Sequence, residues 1–411
     1  MPKCEYSNPE HPKEARNDMN KKRLAWLALA LTGAFLLLAA CAPEGAEVVE
    51  EATLTPTVTP RPTRTPGPTP TPFVRPTVET RGIPDQPGVG SFTEDLGAPL
   101  GFVAMDEAGM LYITERKADG RVLKVDQDGK AEPVGAATLN CPYGIAVGKE
   151  GTIYISADSC DGSSVNAIYT LSSDGTATLL VGSETEKGLK DGKGAEARFN
   201  RPAGLALSED GTLYVADYGN YAVRAVSPDG EVKTFVGTGT RGYADGPAAQ
   251  AQFASPIALT FAPDDSLYVT TGCDDTECDP GKDLAHFIRQ IKPDGTVVTF
   301  SGKGQMGPAD GPHTFSQYDQ PGSIVFTGPQ VAYVADTHNN CIRRLKPTFA
   351  LVYAGLCRTS TKPGGTVVDG RLANATFSWP IGMVYDGRGH LFVSEYGFQR
   401  IRVITLKLPD E

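Results

Sequence analysis

Apolar runs of four to six residues recur from about residue 99 to the end of the chain, each closed by a short polar turn. The clearest stretch begins Pro202-Ala203-Gly204-Leu205-Ala206-Leu207. It continues through a Glu-Asp-Gly turn to Leu213-Tyr214-Val215-Ala216, then Val223-Arg224-Ala225-Val226, an Asp229-Gly230 turn and Val232-Lys233-Thr234-Phe235-Val236. Runs of this length between turn residues predict strands, and Asp-Gly suits the joins because glycine takes a positive φ at little cost. Four such strands make one antiparallel unit. A single unit cannot bury both of its faces, so copies must stack.

The proline that opens the unit falls at Pro99, Pro142, Pro202, Pro256, Pro321 and Pro380, which predicts six copies. Radial stacking of four-stranded units is a β-propeller, so the fold class expected is all-β, a six-bladed β-propeller of four-stranded antiparallel blades. Asp128-Gly129, Asp174-Gly175, Asp229-Gly230 and Asp294-Gly295 mark the third-to-fourth-strand hairpin in the first four copies; the fifth has Lys346-Pro347-Thr348 there. The last copy supplies only three strands, ending at Ile401–Leu406, while Gly88-Val89-Gly90-Ser91-Phe92 stands unassigned ahead of the first. We expect this N-terminal strand to complete the final blade and close the ring.

The Pro-x-Gly-Leu-Ala, Leu-Tyr-Val-Ala-Asp-Tyr-Gly-Asn and Val-Arg-x-Val-Ser-Pro-Asp-Gly strings resemble the NHL-repeat family, whose members form six-bladed propellers. The connectors Asp191-Gly192 to Phe199, Asp245-Gly246 to Phe253 and Asp369-Gly370 to Phe377 add to the resemblance. It covers about residues 86–411 and speaks to fold rather than ligand, since propellers host unrelated activities.

Residues 1–40 divide into a polar segment ending Lys21-Lys22-Arg23 and an apolar stretch from Leu24 to Ala40. That order is the order of an export signal, and Leu38-Ala39-Ala40-Cys41 resembles the bacterial lipobox. The resemblance implies a lipoprotein signal peptide over 1–40 and lipid attachment on Cys41, whose thiol carries the diacylglycerol. An uncleaved transmembrane anchor is the alternative. Residues 41–86 read as the lipid anchor followed by a Thr/Pro-rich linker, with Thr-Pro pairs at 55, 59, 65, 69 and 71. Such a linker is a semi-rigid stalk reaching on the order of 100 Å. Residues 87–411 are the propeller, expected to sit outside the cytoplasm of a bacterium, tethered to a membrane.

Charge removes one class of partner. The chain carries −11, and losing residues 1–40 takes out six Lys/Arg and four Asp/Glu and leaves −13. Some NHL-repeat propellers bind RNA, but a nucleic-acid partner needs basic surface to neutralise phosphate. No nucleic acid is therefore expected; a protein or glycan partner is, with the domain itself a monomer. Six cysteines remain in the propeller, and an even number in an exported domain suggests disulfides. In an up-down-up-down blade, the start of the first strand, the second-to-third loop and the end of the fourth share one face of the disc. That geometry pairs Cys141 with Cys160, Cys273 with Cys278, and Cys341 with Cys357, and points to the face they share as the face in use.

No nucleophile, zincin or phosphate-loop motif occurs. On the disulfide-bearing face the polar and aromatic candidates for ligand contact are Asp217, Tyr218, Asn220, His286, His338, Asn339, Asn340, Glu395 and Tyr396. His286, His313 and His338 with Asp217, Asp336 or Glu395 offer ligands for a divalent ion, yet each carboxylate sits at a repeat position where it can simply cap a loop. No cofactor is expected, Ca or Zn being the alternative. Arg224, Arg289, Arg343 and Arg402 recur at one third-strand position and are expected to bridge adjacent blades through carboxylates or carbonyls rather than bind substrate. The function expected is a non-catalytic binding or sensor module for a protein, glycan or small ligand; the alternative is a metal-dependent enzyme like the lactonase and lyase propellers.

Overall fold

The chain divides into two units, Met1–Arg75 and Pro76–Glu411. The computed structural model describes residues 88–158, 160, 162, 165–273, 284–358 and 364–406, all in the second unit. The expected signal peptide, Cys41, the linker and Cys278 lie outside the described residues.

Each repeat folds where its apolar runs place it. Blade 1 consists of Leu100–Met105, Leu111–Glu115, Val122–Val125 and Ala131–Pro133, and blade 2 of Pro142–Val147, Ile153–Ala157, Asn166–Leu171 and Ala177–Ser183. Blade 3 is Pro202–Leu207, Leu213–Asp217, Ala222–Val226 and Glu231–Val236; blade 4 is Ser255–Phe261, Leu267–Gly272, His286–Ile291 and Val297–Gly304. Blade 5 is Pro321–Gly328, Val331–Asp336, Cys341–Leu345 and Phe349–Ala354. Two-residue strands, Gly192–Lys193 and Gly311–Pro312, extend the outer edges of blades 3 and 5.

Blade 6 joins the two ends of the domain. Pro380–Tyr385, His390–Glu395 and Arg400–Thr405 take Gly88–Ser91 as their fourth strand, in register Gly88↔Thr405 through Ser91↔Arg402. Closure removes the open sheet edge that a three-stranded last blade would leave. It also seals Val89 and Phe92 into the apolar layers on either side of blade 6. Gly88 sits level with Thr405 and His390, at the end of blade 6 opposite Tyr396. The chain therefore enters and leaves the propeller on the face away from the second-to-third-strand loops.

First strands line the central channel, and two devices let them crowd there. Glycine follows the opening proline by two positions in blades 1, 2, 3 and 6; a Cβ on Gly204 would meet Ala258 Cα at 2.6 Å and one on Gly382 would meet Phe102 Cα at 2.8 Å. Hydroxyls at the ends of second strands then stitch every blade except the third, which has Ala216 there, to the next. Thr114 donates to Tyr143 O (2.8 Å), Ser156 to Ala203 O (2.6 Å), Thr270 to Gly322 O (2.6 Å), Thr337 to Pro380 O (2.8 Å), and Ser394 to Gly101 O across the closure (2.7 Å).

Candidate functional site

Three repeat positions converge where the channel opens on the face of the second-to-third-strand loops. They are the residue before the opening proline, the residue after it, and the residue or two following the second strand. Together they line a cavity of about 290 Å³, to which blade 1 gives Arg116, blade 2 Tyr143 and Asp158, and blade 3 Arg201 and Tyr218. Blades 5 and 6 add Gln320, His338, Trp379 and Tyr396.

The pre-proline residues are held in a costly conformation. Arg201, Gln320 and Trp379 have φ of 56°, 51° and 51°, a left-handed backbone that costs a non-glycine residue about 1–3 kcal/mol and persists only where neighbours enforce it. Here the neighbours are side chains from the preceding blade. Asn166 Oδ1 accepts from Arg201 N at 2.6 Å, His286 Nδ1 from Gln320 N at 3.0 Å, and Asn340 Oδ1 from Trp379 N at 2.9 Å. Each clamp thus fixes one mouth residue.

Around the mouth, rings and guanidinium planes form an arc. His338 stacks on Trp379 with centroids 4.6 Å apart, and Trp379 on Tyr396 at 5.7 Å. The Arg116 guanidinium lies 3.8 Å from the Tyr143 ring centroid and Arg201 lies 4.6 Å from that of Tyr218, contacts favoured by the electron-rich ring face. Arg116 Nη2 donates to Asp158 Oδ2 at 3.0 Å. Burial works against the Arg116 charge, but Asp158 and the Tyr143 ring outweigh it and hold the guanidinium above its ordinary pKa. Burial likewise raises the Tyr143 phenol, with Arg116 opposing.

Beneath the mouth lies a repeated framework. Arg224 is fully buried and donates to Asp217 Oδ2 (2.9 Å), Asp191 Oδ1 (2.7 Å) and the carbonyls of Lys190 and Arg198. Asp217 Oδ1 meanwhile caps Asn200 N at 2.8 Å. Arg343 repeats this with Asp336 and Asp310, and Arg402 with Glu395 and Asp369. Arg289 has Asp245 but Thr271 where the second-strand acid would be. Phe199, Phe253, Tyr318 and Phe377, each eight residues after the connector aspartate, put a ring about 5 Å from the corresponding guanidinium. The connector motif is therefore the wrapping of a buried arginine.

This framework separates the residues singled out from sequence. Tyr218, His338 and Tyr396 line the cavity. Asp217, Asn220, Asn339 and Glu395 are buried in the arginine framework: Asn220 Nδ2 donates to Asp217 Oδ2 at 2.8 Å and Asn339 Nδ2 to Asp336 Oδ2 at 2.9 Å. His286 and Asn340 are the clamps under Gln320 and Trp379. The three histidines considered together do not meet: His286 is fully buried, His338 is at the mouth, and His313 sits in an outer connector between Ser301 Oγ (3.0 Å) and Lys346 O (2.8 Å). Arg116, Tyr143, Asp158, Arg201, Gln320 and Trp379 escaped the sequence reading. Their signal is that these positions change from copy to copy while the framework positions around them repeat.

Disulfides join Cys141 to Cys160 and Cys341 to Cys357, and Cys273 is disulfide-bonded as well. Asp336 lies beside Cys341 and Cys357 in a metal-like grouping, but those sulfurs are bonded to each other. Asp158 is the one carboxylate among the described lining residues, and Arg116 already engages it. The arrangement offers stacking surfaces, hydrogen-bond donors and one carboxylate, in keeping with ligand recognition.

Comparison with known proteins agrees with the architecture. Residues 103–227 match the Teneurin NHL domain family. Teneurin-3 of Mus musculus is 35% identical over 142 residues, which is 30% of this chain and 5% of that protein. NHL repeat-containing protein 2 of Bos taurus is 30% identical over 187 residues, 42% of this chain and 24% of that protein. The matches span no more than a quarter of these relatives' length. Among solved structures, an auxiliary nutrient binding protein from Bacteroides thetaiotaomicron aligns with a TM-score of 0.57 at 17% identity, over 78% of this chain and 76% of that one. At that identity the likeness is one of fold.

Proposed function

Since the chain belongs to the NHL-repeat family and folds as its six-bladed propeller, we propose that it is a binding module whose channel mouth takes a small ligand or the end of a glycan. One observation carries this reading. The repeat positions that vary between copies gather at one cavity and supply Arg116, Tyr143, Asp158, Arg201, Trp379 and Tyr396, while the repeated polar residues are consumed by the framework below. Loops on a rigid disc are a usual place for recognition, and disulfides and backbone clamps pre-organise this one.

The tether belongs to the same proposal. A lipid on Cys41 is proposed to hold the chain to a membrane through the Thr/Pro-rich stretch of residues 42–86. A thermal-shift panel of sugars, amino acids and organic acids tests the reading on the full chain in detergent. Ligands that raise the melting temperature of the wild type should fail to do so for Tyr396→Ala and Trp379→Ala. Ligands that stabilise wild type and both variants alike would place binding elsewhere.

A further inference from the structure

Resting on that reading, we infer that the ligand is an uncharged sugar ring, a pyranose whose neighbouring hydroxyls are read by Asp158 and Arg116. Their ion pair uses one oxygen and one nitrogen, Asp158 Oδ2 and Arg116 Nη2. The other two polar atoms, Asp158 Oδ1 and Arg116 Nη1, are buried without a hydrogen-bond partner. Buried polar groups are nearly always paired, and an exception calls for an explanation. Both residues line the cavity, and of the two atoms one is an acceptor only and the other a donor only.

An acceptor beside a donor selects the chemistry of its partner. A carboxylate or phosphate cannot donate to Asp158 and is repelled by it. An ammonium cannot accept from Arg116. A pair of adjacent hydroxyls does both, because each O–H is donor and acceptor at once. Both atoms are covered by neighbouring groups, so engaging them takes a small outward turn of the pair.

Two further observations point to a sugar among the hydroxyl compounds. The arc of His338, Trp379 and Tyr396 lines the same cavity and offers apolar ring surface for the C–H face of a pyranose. In addition, about 290 Å³ lies at the small end of ligand pockets, which run from about 300 to 1,000 Å³. That is room for one ring rather than a stretch of polymer. Because the Arg116–Asp158 pair is neutral as a unit, binding should respond little to salt, unlike capture of an anion.

Isothermal titration of the full chain in detergent with a panel of methyl pyranosides tests the assignment. At least one pyranoside should bind, at an affinity that holds from low to high salt. Asp158→Asn and Arg116→Lys should each weaken it about tenfold, with melting temperatures recorded to exclude unfolding. A deoxy analogue lacking one of the engaged hydroxyls should lose affinity for the wild type but little more for Asp158→Asn, which a merely structural role for Asp158 would not produce. If charged or aromatic ligands bind at the mouth and no pyranoside does, the sugar assignment is overturned while the binding module stands. If no ligand's binding depends on Tyr396 or Trp379, both are overturned.

Discussion

Arg224 and Asp217 form an ion pair 2.9 Å long with both side chains fully buried, and the same pair recurs as Arg343–Asp336 and Arg402–Glu395. Breaking such a pair by removing one partner strands a charge in the interior and costs about 3–5 kcal/mol. Arg224→Ala should therefore lower stability in urea unfolding by roughly that amount. Arg224→Lys should recover little, since one ammonium cannot satisfy Asp217, Asp191 and two carbonyls at once. An Arg224→Ala protein as stable as wild type would remove the arginine from its place as the framework's keystone.

The framework makes stability depend on pH. Burial raises the Asp217 carboxyl to about 6 and those of Asp336 and Glu395 to about 7, with the paired arginines pulling the other way. Between about pH 4 and 7 the folded protein then holds more protons than the unfolded chain, so their contribution is present at the acid end and lost as pH rises through 6 to 7. His313, lowered by burial, acts with the opposite sign near its ordinary range. Melting temperature against pH should fall across this window from the carboxyls, and Asp336→Asn should flatten the slope. A variant slope equal to the wild type's would contradict the assignment.

Ring closure can be cut without touching the repeats. A chain beginning at Glu94 lacks Gly88–Ser91 and uncovers the Arg400–Thr405 edge along with the apolar sites filled by Val89 and Phe92. Marked loss of stability and self-association through the open edge are expected, read by light scattering and thermal melting. A monomeric, equally stable product would mean that the closing strand is dispensable.

The tether is tested at one atom. Cys41→Ser removes the thiol on which the lipid is proposed to sit, so the variant should leave the membrane fraction or retain its leader. Equal membrane retention with a cleaved leader would favour another anchor.

The strands and the closing strand were legible because apolar runs, Asp-Gly turns and the opening proline act locally, copy by copy. Two disulfide pairings, Cys141–Cys160 and Cys341–Cys357, followed from blade geometry alone. The mouth was harder to see. Arg116, Asp158 and Trp379 belong to different repeats, and only the register between blades brings them to one cavity. Asp217 and Asn220 drew attention because a polar residue beside a loop reads as exposed, whereas the connector from Lys190 to Asn200 folds over them and turns them into partners of Arg224.

Tryptophan emission tests the central claim most directly. The chain has two tryptophans, Trp26 and Trp379, so subtracting the spectrum of a Trp379→Phe variant isolates the one at the channel mouth. A ligand that binds as proposed should shift or quench the Trp379 signal in a saturable way, at the concentration that half-saturates calorimetric binding. A ligand that binds with the same affinity and leaves Trp379 unmoved would contradict the placing of recognition at this cavity.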